Sequence, residues 1–208
     1  ARGQQPADAG ARGGLVGAEE ASNILPATTT IFLDNWAHGC IQDGAALSEK
    51  NLWKGNRAKT ILCGHMNLDR LERKLDSDDS DSKIIATDGV FSIHGHLAPL
   101  TEIVKLARHH GAIVYVDDAH GTGVLGPTGR GTAEELGCDG DIDIAVGTFS
   151  KAFGIAGGFV VGSKGLCDYI RVAARTAVLQ TAMPPADAAG LITAINIAES
   201  EPWRRTTL

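Results

Sequence analysis

Ala112–Asp118 reads AIVYVDD, five apolar residues in succession closed by two aspartates. A run that is apolar at every position fits a parallel strand covered on both faces, since a half-exposed strand would alternate. Its flanks agree. Pro99–His110 opens with proline, carries Leu100, Ile103, Val104 and Ala107 on one stripe, and meets Gly111 as a helix stop. Working outward, Thr28–Asp34 (TTTIFLD), Lys83–Thr87 (KIIAT), Ile142–Thr148 and Gly158–Gly162 read as strands. Asn67–Leu75 puts Leu68, Leu71 and Leu75 on one helical face. A short helix is expected around Thr132–Leu136, Ser163 can cap another, and Pro185–Glu199 makes a further one. Asp76–Ser82 (DSDDSDS) reads as a solvated loop. Strands alternating with helices describe an α/β domain with a mostly parallel sheet. The domain is expected to span residues 29–190, after an irregular or truncated segment 1–28. Residues 191–208 would begin a connection onward. Ligands of open α/β sheets bind beyond the carboxyl ends of the strands. Ser92, Asp117, His120, Thr148 and Lys151 fall there.

Composition narrows the classes. The 208 residues carry 43% hydrophobic and 21% charged side chains, ordinary for a globular domain. A net charge of −6 argues against non-specific nucleic-acid binding. Cys40, Cys63, Cys138 and Cys167 form no C-x-x-C pair, which suggests free thiols in a reducing compartment. No run approaches the ~20 apolar residues of a membrane helix. The opening ARGQQPADAGARGG lacks the apolar segment of a secretory signal, although its arginines leave a transit-like tail open. A cytoplasmic location is expected.

Three segments carry chemistry. TFSK (Thr148–Lys151) sets a lysine just past a strand, before the glycine-rich AFGIAGG. Most lysines are solvated, and one near its ordinary pKa of ~10.4 is neutral in about one molecule in a few thousand at pH 7. Lysine chemistry therefore needs a lowered pKa or an imine with a carbonyl cofactor. Pyridoxal phosphate supplies the aldehyde, and it also wants an acid at its pyridine nitrogen. VDDAHGTG (Val116–Gly123) offers that acid at Asp117, with His120 three residues later. An isolated Asp-Asp more often caps a turn, and periodicity does not tell which aspartate points inward. DNWAHGCIQDGA (Asp34–Ala45) places His38 after a strand, where a flat imidazole could stack on a heteroaromatic ring or simply face solvent. Ser92, Thr148 and Thr181 offer hydroxyls for a phosphate dianion, each weak evidence alone.

Taken together, Gly89–Gly131, Val146–Lys164 and TAMPP (Thr181–Pro185) resemble the α-oxoamine synthases, fold-type I pyridoxal-phosphate enzymes. DDAHGTGVLG and TFSKAFG are most similar to the biotin-pathway branch. The resemblance implies condensation of a small amino acid, alanine or glycine, with an acyl-coenzyme A thioester, and loss of carbon dioxide. It implies Lys151 as the Schiff-base lysine, Asp117 at the pyridine nitrogen, His120 at the ring oxygen and His38 against the ring. Ser92 and Thr148 match cofactor contacts, and Thr181 a hydroxyl reaching the phosphate from a partner subunit in a homodimer. Three departures stand out. His94-Gly95-His96 occupies the place of the usual Asp-Gly-Asp, no glycine-rich cofactor cup is recognisable in residues 1–28, and the chain stops before a small C-terminal domain. The chain is thus expected to be a fragment of the large domain, with the activity belonging to the parent protein.

Two other classes compete. His94-x-His96 with His120 and Asp117 superficially suits a metal-dependent hydrolase, which needs three or four converging ligands. A degenerate regulatory paralogue is the non-enzyme alternative, and the presence of Lys151 weighs against it.

Overall fold

The computed structural model describes residues 28–50 and 58–208. All but the last residue of the expected irregular segment 1–28 lies outside the described residues. Strands β1 (Thr29–Leu33), β2 (Ala58–Leu62), β3 (Ser82–Asp88), β4 (Ile113–Asp117), β5 (Ile144–Thr148) and β6 (Gly158–Gly162) form one sheet, ordered β2-β1-β3-β4-β5-β6. The first five run parallel and β6 returns antiparallel to β5. The expected α/β class with a mostly parallel sheet is therefore what forms. The helices are α1 (Gly39–Glu49), α2 (Leu68–Asp76), α3 (Leu100–His110), α4 (Thr132–Glu135), α5 (Lys164–Ala173), α6 (Arg175–Val178), α7 (Pro185–Ser200) and α8 (Trp203–Thr207).

Alternation along the strands divides the core in two. Phe32, Ile85, Val114 and Val116 face Leu71 and Leu75 of α2 and Leu100, Ile103, Val104 and Ala107 of α3. Leu33 and Ala86 face the opposite side, against Ala37 and against Ile41 and Ala45 of α1, with Ile31 and Tyr115 beside them. Burying each large aliphatic side chain contributes roughly 1.5–3 kcal/mol, so the central strands anchor both layers. Helix ends follow the residues that punctuate them. Asn67 accepts from Arg70 N at 2.9 Å, Ser163 accepts from Leu166 N at 3.3 Å, and Gly111 ends α3 in the left-handed region at φ 63°.

Three local expectations change. Helix α1 and strand β2 form where neither was expected. The acidic run Asp76–Ser82 is more than a solvated loop. Asp78 accepts from Thr30 Oγ1 at 2.9 Å and from Ser80, while Asp81 accepts from Thr28 N at 2.9 Å and Thr28 Oγ1 at 3.0 Å. Partial burial raises the pKa of Asp78, but these hydrogen bonds outweigh it and hold the carboxyl below its ordinary value. The run thereby clamps the start of β1.

The Asp117–Asp118 pair is split by the same alternation. Asp117 follows Tyr115 onto the α1 side. Asp118 follows Val116 onto the other, where it accepts from Thr132 N at 2.9 Å and from Thr132 Oγ1. Thr132 is fully buried, so Asp118 is the internal cap of α4. Gly131, at φ 105°, passes so close to the Asp118 carboxylate that any Cβ would collide with it. Asp118→Ala leaves a buried N–H and a hydroxyl without acceptor, and should lower stability by about 1–3 kcal/mol in urea denaturation. An unchanged midpoint would remove this role.

Candidate active site

Parallel pairing brings the carboxyl ends of β3, β4 and β5 to one edge. A cavity of about 340 Å³ opens there, lined by His38, Asp88, Asp117, His120, Thr148 and Lys151, with Cys40 and Ser150 beside them. Five of the seven residues expected at the site thus meet in one place. Ser92 instead lines an adjoining cavity, which His38 shares. Thr181 is exposed and is not among the residues lining the first cavity.

Asp117 forms part of the cavity floor and is 8% exposed. Ala119 N donates to its Oδ1 at 3.0 Å, and the Cys40 thiol approaches Oδ2 at 3.8 Å. The main chain locks the strand end, because Gly89 N donates to Asp117 O at 2.7 Å and Asp118 N to Val146 O at 2.8 Å. Lys151 follows the turn after β5 and is exposed at the cavity, not enclosed as a protected lysine would be. Thr148 builds that turn. Its hydroxyl donates to Gly157 O at 3.0 Å, lies 2.8 Å from Ser150 Oγ, and accepts from Ser150 N at 3.2 Å. Burial, then the neighbouring Lys151 ammonium, push the His120 pKa below its ordinary value, so this ring is neutral at physiological pH.

His38 has a structural task as well. Its Nδ1 accepts from Cys40 N at 3.2 Å, making the imidazole the N-cap of α1. A nitrogen that accepts carries no hydrogen, so the neutral ring bears its proton on Nε2. The Cys40 thiol sits 3.0 Å from the same Nδ1, and burial followed by the Asp117 charge raise its pKa, keeping it protonated.

Asp88 was missed by the sequence reading. Its register partner across β3 and β4 is Asp117, which places two carboxylates side by side, and its Oδ1 accepts from His38 N at 3.0 Å. It is 4% exposed. The signal was available, since Asp88 closes a strand just as Asp117 does. Burial first, and the Asp117 charge in addition, push its pKa up to about 6.

His94 and His96 line no part of this cavity; their rings gather with Trp36 and His65. Among the described residues, no group of three His, Cys, Asp or Glu side chains is placed to hold a metal ion.

A family model described as aminotransferase class I and II matches residues 11–208. The chain belongs to that family. 8-Amino-7-oxononanoate synthase of Lysinibacillus sphaericus is 44% identical over 188 residues, 90% of this chain and 46% of that protein. Serine palmitoyltransferase from S. paucimobilis, solved with bound PLP-myriocin aldimine, superposes with a TM-score of 0.78 at 34% identity. That match covers 89% of this chain and 46% of the other. The 8-amino-7-oxononanoate synthase of Francisella tularensis gives 0.69 at 28% identity, over 89% of this chain and 51% of that one. These relatives are α-oxoamine synthases, as the motifs implied. The chain spans about half the length of the curated relatives it matches, 46% for the first of them.

Pyridoxal phosphate is the cofactor of the family, and the residues present fit it. The cavity volume falls within the range of small-ligand sites. Its lining supplies a primary amine, two buried carboxylates, two imidazoles and two hydroxyls, a set that includes what an aldehyde, a pyridine nitrogen and a phosphate require. Among the described residues, no helix is long and apolar enough to cross a membrane.

The Asp88 environment has a measurable signature. Its folded pKa of about 6 lies above the unfolded value near ~3.9. The folded state therefore binds the proton more tightly, and this contribution to stability is present below pH ~4 and lost as pH rises through about 6. Asp88→Asn keeps an acceptor for His38 N but cannot ionise. Its stability relative to wild type should rise between pH 4 and pH 7, read from urea midpoints. Parallel curves would contradict the shifted pKa.

Proposed function

We propose that the chain carries the cofactor-holding part of a pyridoxal-phosphate-dependent acyltransferase of the 8-amino-7-oxononanoate synthase type. It would join alanine or glycine to an acyl-coenzyme A thioester, with loss of carbon dioxide, giving an α-aminoketone. The observation that carries this reading is the meeting of Lys151, Asp117, His120 and His38 around one cavity, in a chain 44% identical to a synthase of that name. The likeness to serine palmitoyltransferase supports the same reaction class with a different amino acid as the runner-up.

Bound here, pyridoxal phosphate supplies an aldehyde for amine attachment and a ring that accepts the electron pair left by a departing proton. The chain's own groups do the rest. Lys151 would hold the aldehyde carbon through Nζ, and the same amine is the base at the cavity that would accept the α-proton of the amino acid. Asp117, fixed by Ala119 N, would hold the proton on the pyridine nitrogen. A carboxylate seated in a low-dielectric floor binds that cationic N–H more strongly than one in water. His120, neutral at physiological pH, offers an N–H to the ring oxygen without adding charge. His38 presents a flat face whose tautomer is set by the α1 cap. Thr148 and Ser150 offer hydroxyls, and Ser92 and Thr181 are assigned supporting contacts, Thr181 through a partner subunit. Residues 29–190 would form the cofactor-binding large domain of a cytoplasmic homodimer, and 191–208 the passage toward a further domain.

Lys151→Ala should abolish the visible absorbance of the lysine-bound cofactor. In wild type, borohydride reduction followed by peptide mass spectrometry should place the cofactor on the peptide containing Lys151. Cofactor trapped on another lysine would overturn the assignment.

A further inference from the structure

Three adjacent strands, β1, β3 and β4, lead into aspartates at one edge of the sheet, Asp34, Asp88 and Asp117. Asp34 is engaged with its own loop, where it accepts from Trp36 N and Met66 N at 2.8 Å each and lies 3.2 Å from His65 Nδ1. Asp88, on the middle strand, is deeply buried and yet lines the cavity. Among the described residues its carboxyl accepts one hydrogen bond, from His38 N to Oδ1. A carboxylate has room for about four. Its negative charge is therefore poorly compensated by the protein alone.

The groups facing Asp88 do little to compensate it. Asp117 stands across the β3–β4 register and Asp34 on the other flank, and both add negative charge. From the start of α1, His38 opposes them when protonated, and the Cys40 thiol stays neutral. Tyr115 of β4 remains a phenol, because burial pushes its pKa up to about 12. The loops after β4 and β5 bring His120, neutral at physiological pH, and the Lys151 ammonium. Burial, with the Asp117 charge adding to it, brings the Asp88 pKa to about 6, so near that pH about half of the empty molecules carry a proton there.

A cation at Asp117 would change this balance. Paired strands lie about 4.8 Å apart, so a cation seated on Asp117 acts on Asp88 at nearly the same range. An opposite charge within ~4–6 Å lowers a carboxyl pKa by about 1–3.

We propose that Asp88 is a positioning residue for the cofactor ring, acting through Asp117 and releasing its proton to solvent when a cationic ring N–H settles against that neighbour. The inference rests on the reading of the cofactor cavity given above. The carboxyl O–H bond of Asp88 breaks, water takes the proton, and the floor then holds the ring with two negative charges where Asp117 alone would supply one. Cofactor uptake is in this way coupled to pH.

The probe is pyridoxine 5′-phosphate, which carries the ring nitrogen and the phosphate but no aldehyde, so it cannot attach to Lys151. Calorimetric titration of wild type and Asp88→Asn gives a ratio of dissociation constants, in which the titration of the phosphate cancels. Asp88→Asn keeps an acceptor for His38 N without the charge. It should bind about tenfold more weakly than wild type at about pH 7.5, one pKa unit of coupling being tenfold in affinity. At about pH 5, where wild type has largely lost the same charge, the difference should fall below about threefold. Asp88→Glu, which keeps a titrating carboxyl, should stay within about threefold of wild type at both values. A ratio that does not change with pH overturns the assignment, since a uniform loss would mean that Asp88 only anchors His38 N. Equal weakening by Asn and Glu overturns it as well. Wild type that binds no probe and loads no pyridoxal phosphate at Lys151 refutes the underlying reading itself. Normal loading with a pH-independent ratio refutes only the role of Asp88.

Discussion

The in-register pairing of β3 with β4 governs both the stability of the sheet and the character of the cavity. It seats Asp88 against Asp117, and the backbone bonds from Gly89 N and Asp118 N leave neither strand end free to move. Two carboxylates side by side at the buried end of a parallel sheet repel each other and lose hydration. The structure tolerates this because one of them takes up a proton easily and accepts the His38 amide. The result is a floor predisposed to a cationic ring N–H. A pyridinium is the kind of group that relieves such a floor.

The opposite face of the same strand end shows how tightly the two roles are coupled. One residue further on, Asp118 turns away from the cavity and satisfies the buried start of α4. A shift of one position in β4 would exchange the two aspartates, sending the α4 cap into the cavity and the cavity acid into the packed layer. Period-two alternation makes such slippage costly wherever both faces are buried. The distinct fates of the pair follow from Val114 and Val116 being locked against α3, while Tyr115 lies with the α1 layer.

Much of this could be read from the chain, and the gaps have physical causes. The strands β1, β3, β4, β5 and β6 announced themselves through unbroken apolar or β-branched runs, and α3 through its proline and glycine ends. Helix α1 did not, because it buries only Ile41 and Ala45, contains Gly39 and Gly44, and is capped by a histidine where Ser, Thr, Asp or Asn would be the usual signal. Strand β2 is an edge strand with no buried residue, so its AKTIL pattern is faint. The strand-end rule found Asp117, Thr148 and Lys151, but Ser92 lies in a turn that carries it into the neighbouring cavity. Which aspartate faces which layer needed the helices in place. The imidazoles at 94 and 96, conspicuous as a spacing, belong to an aromatic stack whose other members, Trp36 and His65, lie far away in the chain.

Because one nitrogen of His38 terminates α1, the ring's orientation and the integrity of the helix cannot be altered separately. Aliphatic replacement at this position removes a flat surface and a helix terminus in one stroke, while asparagine could restore the second without the first. The imidazole that lines the cavity is in this way wired to the folding of a neighbouring segment.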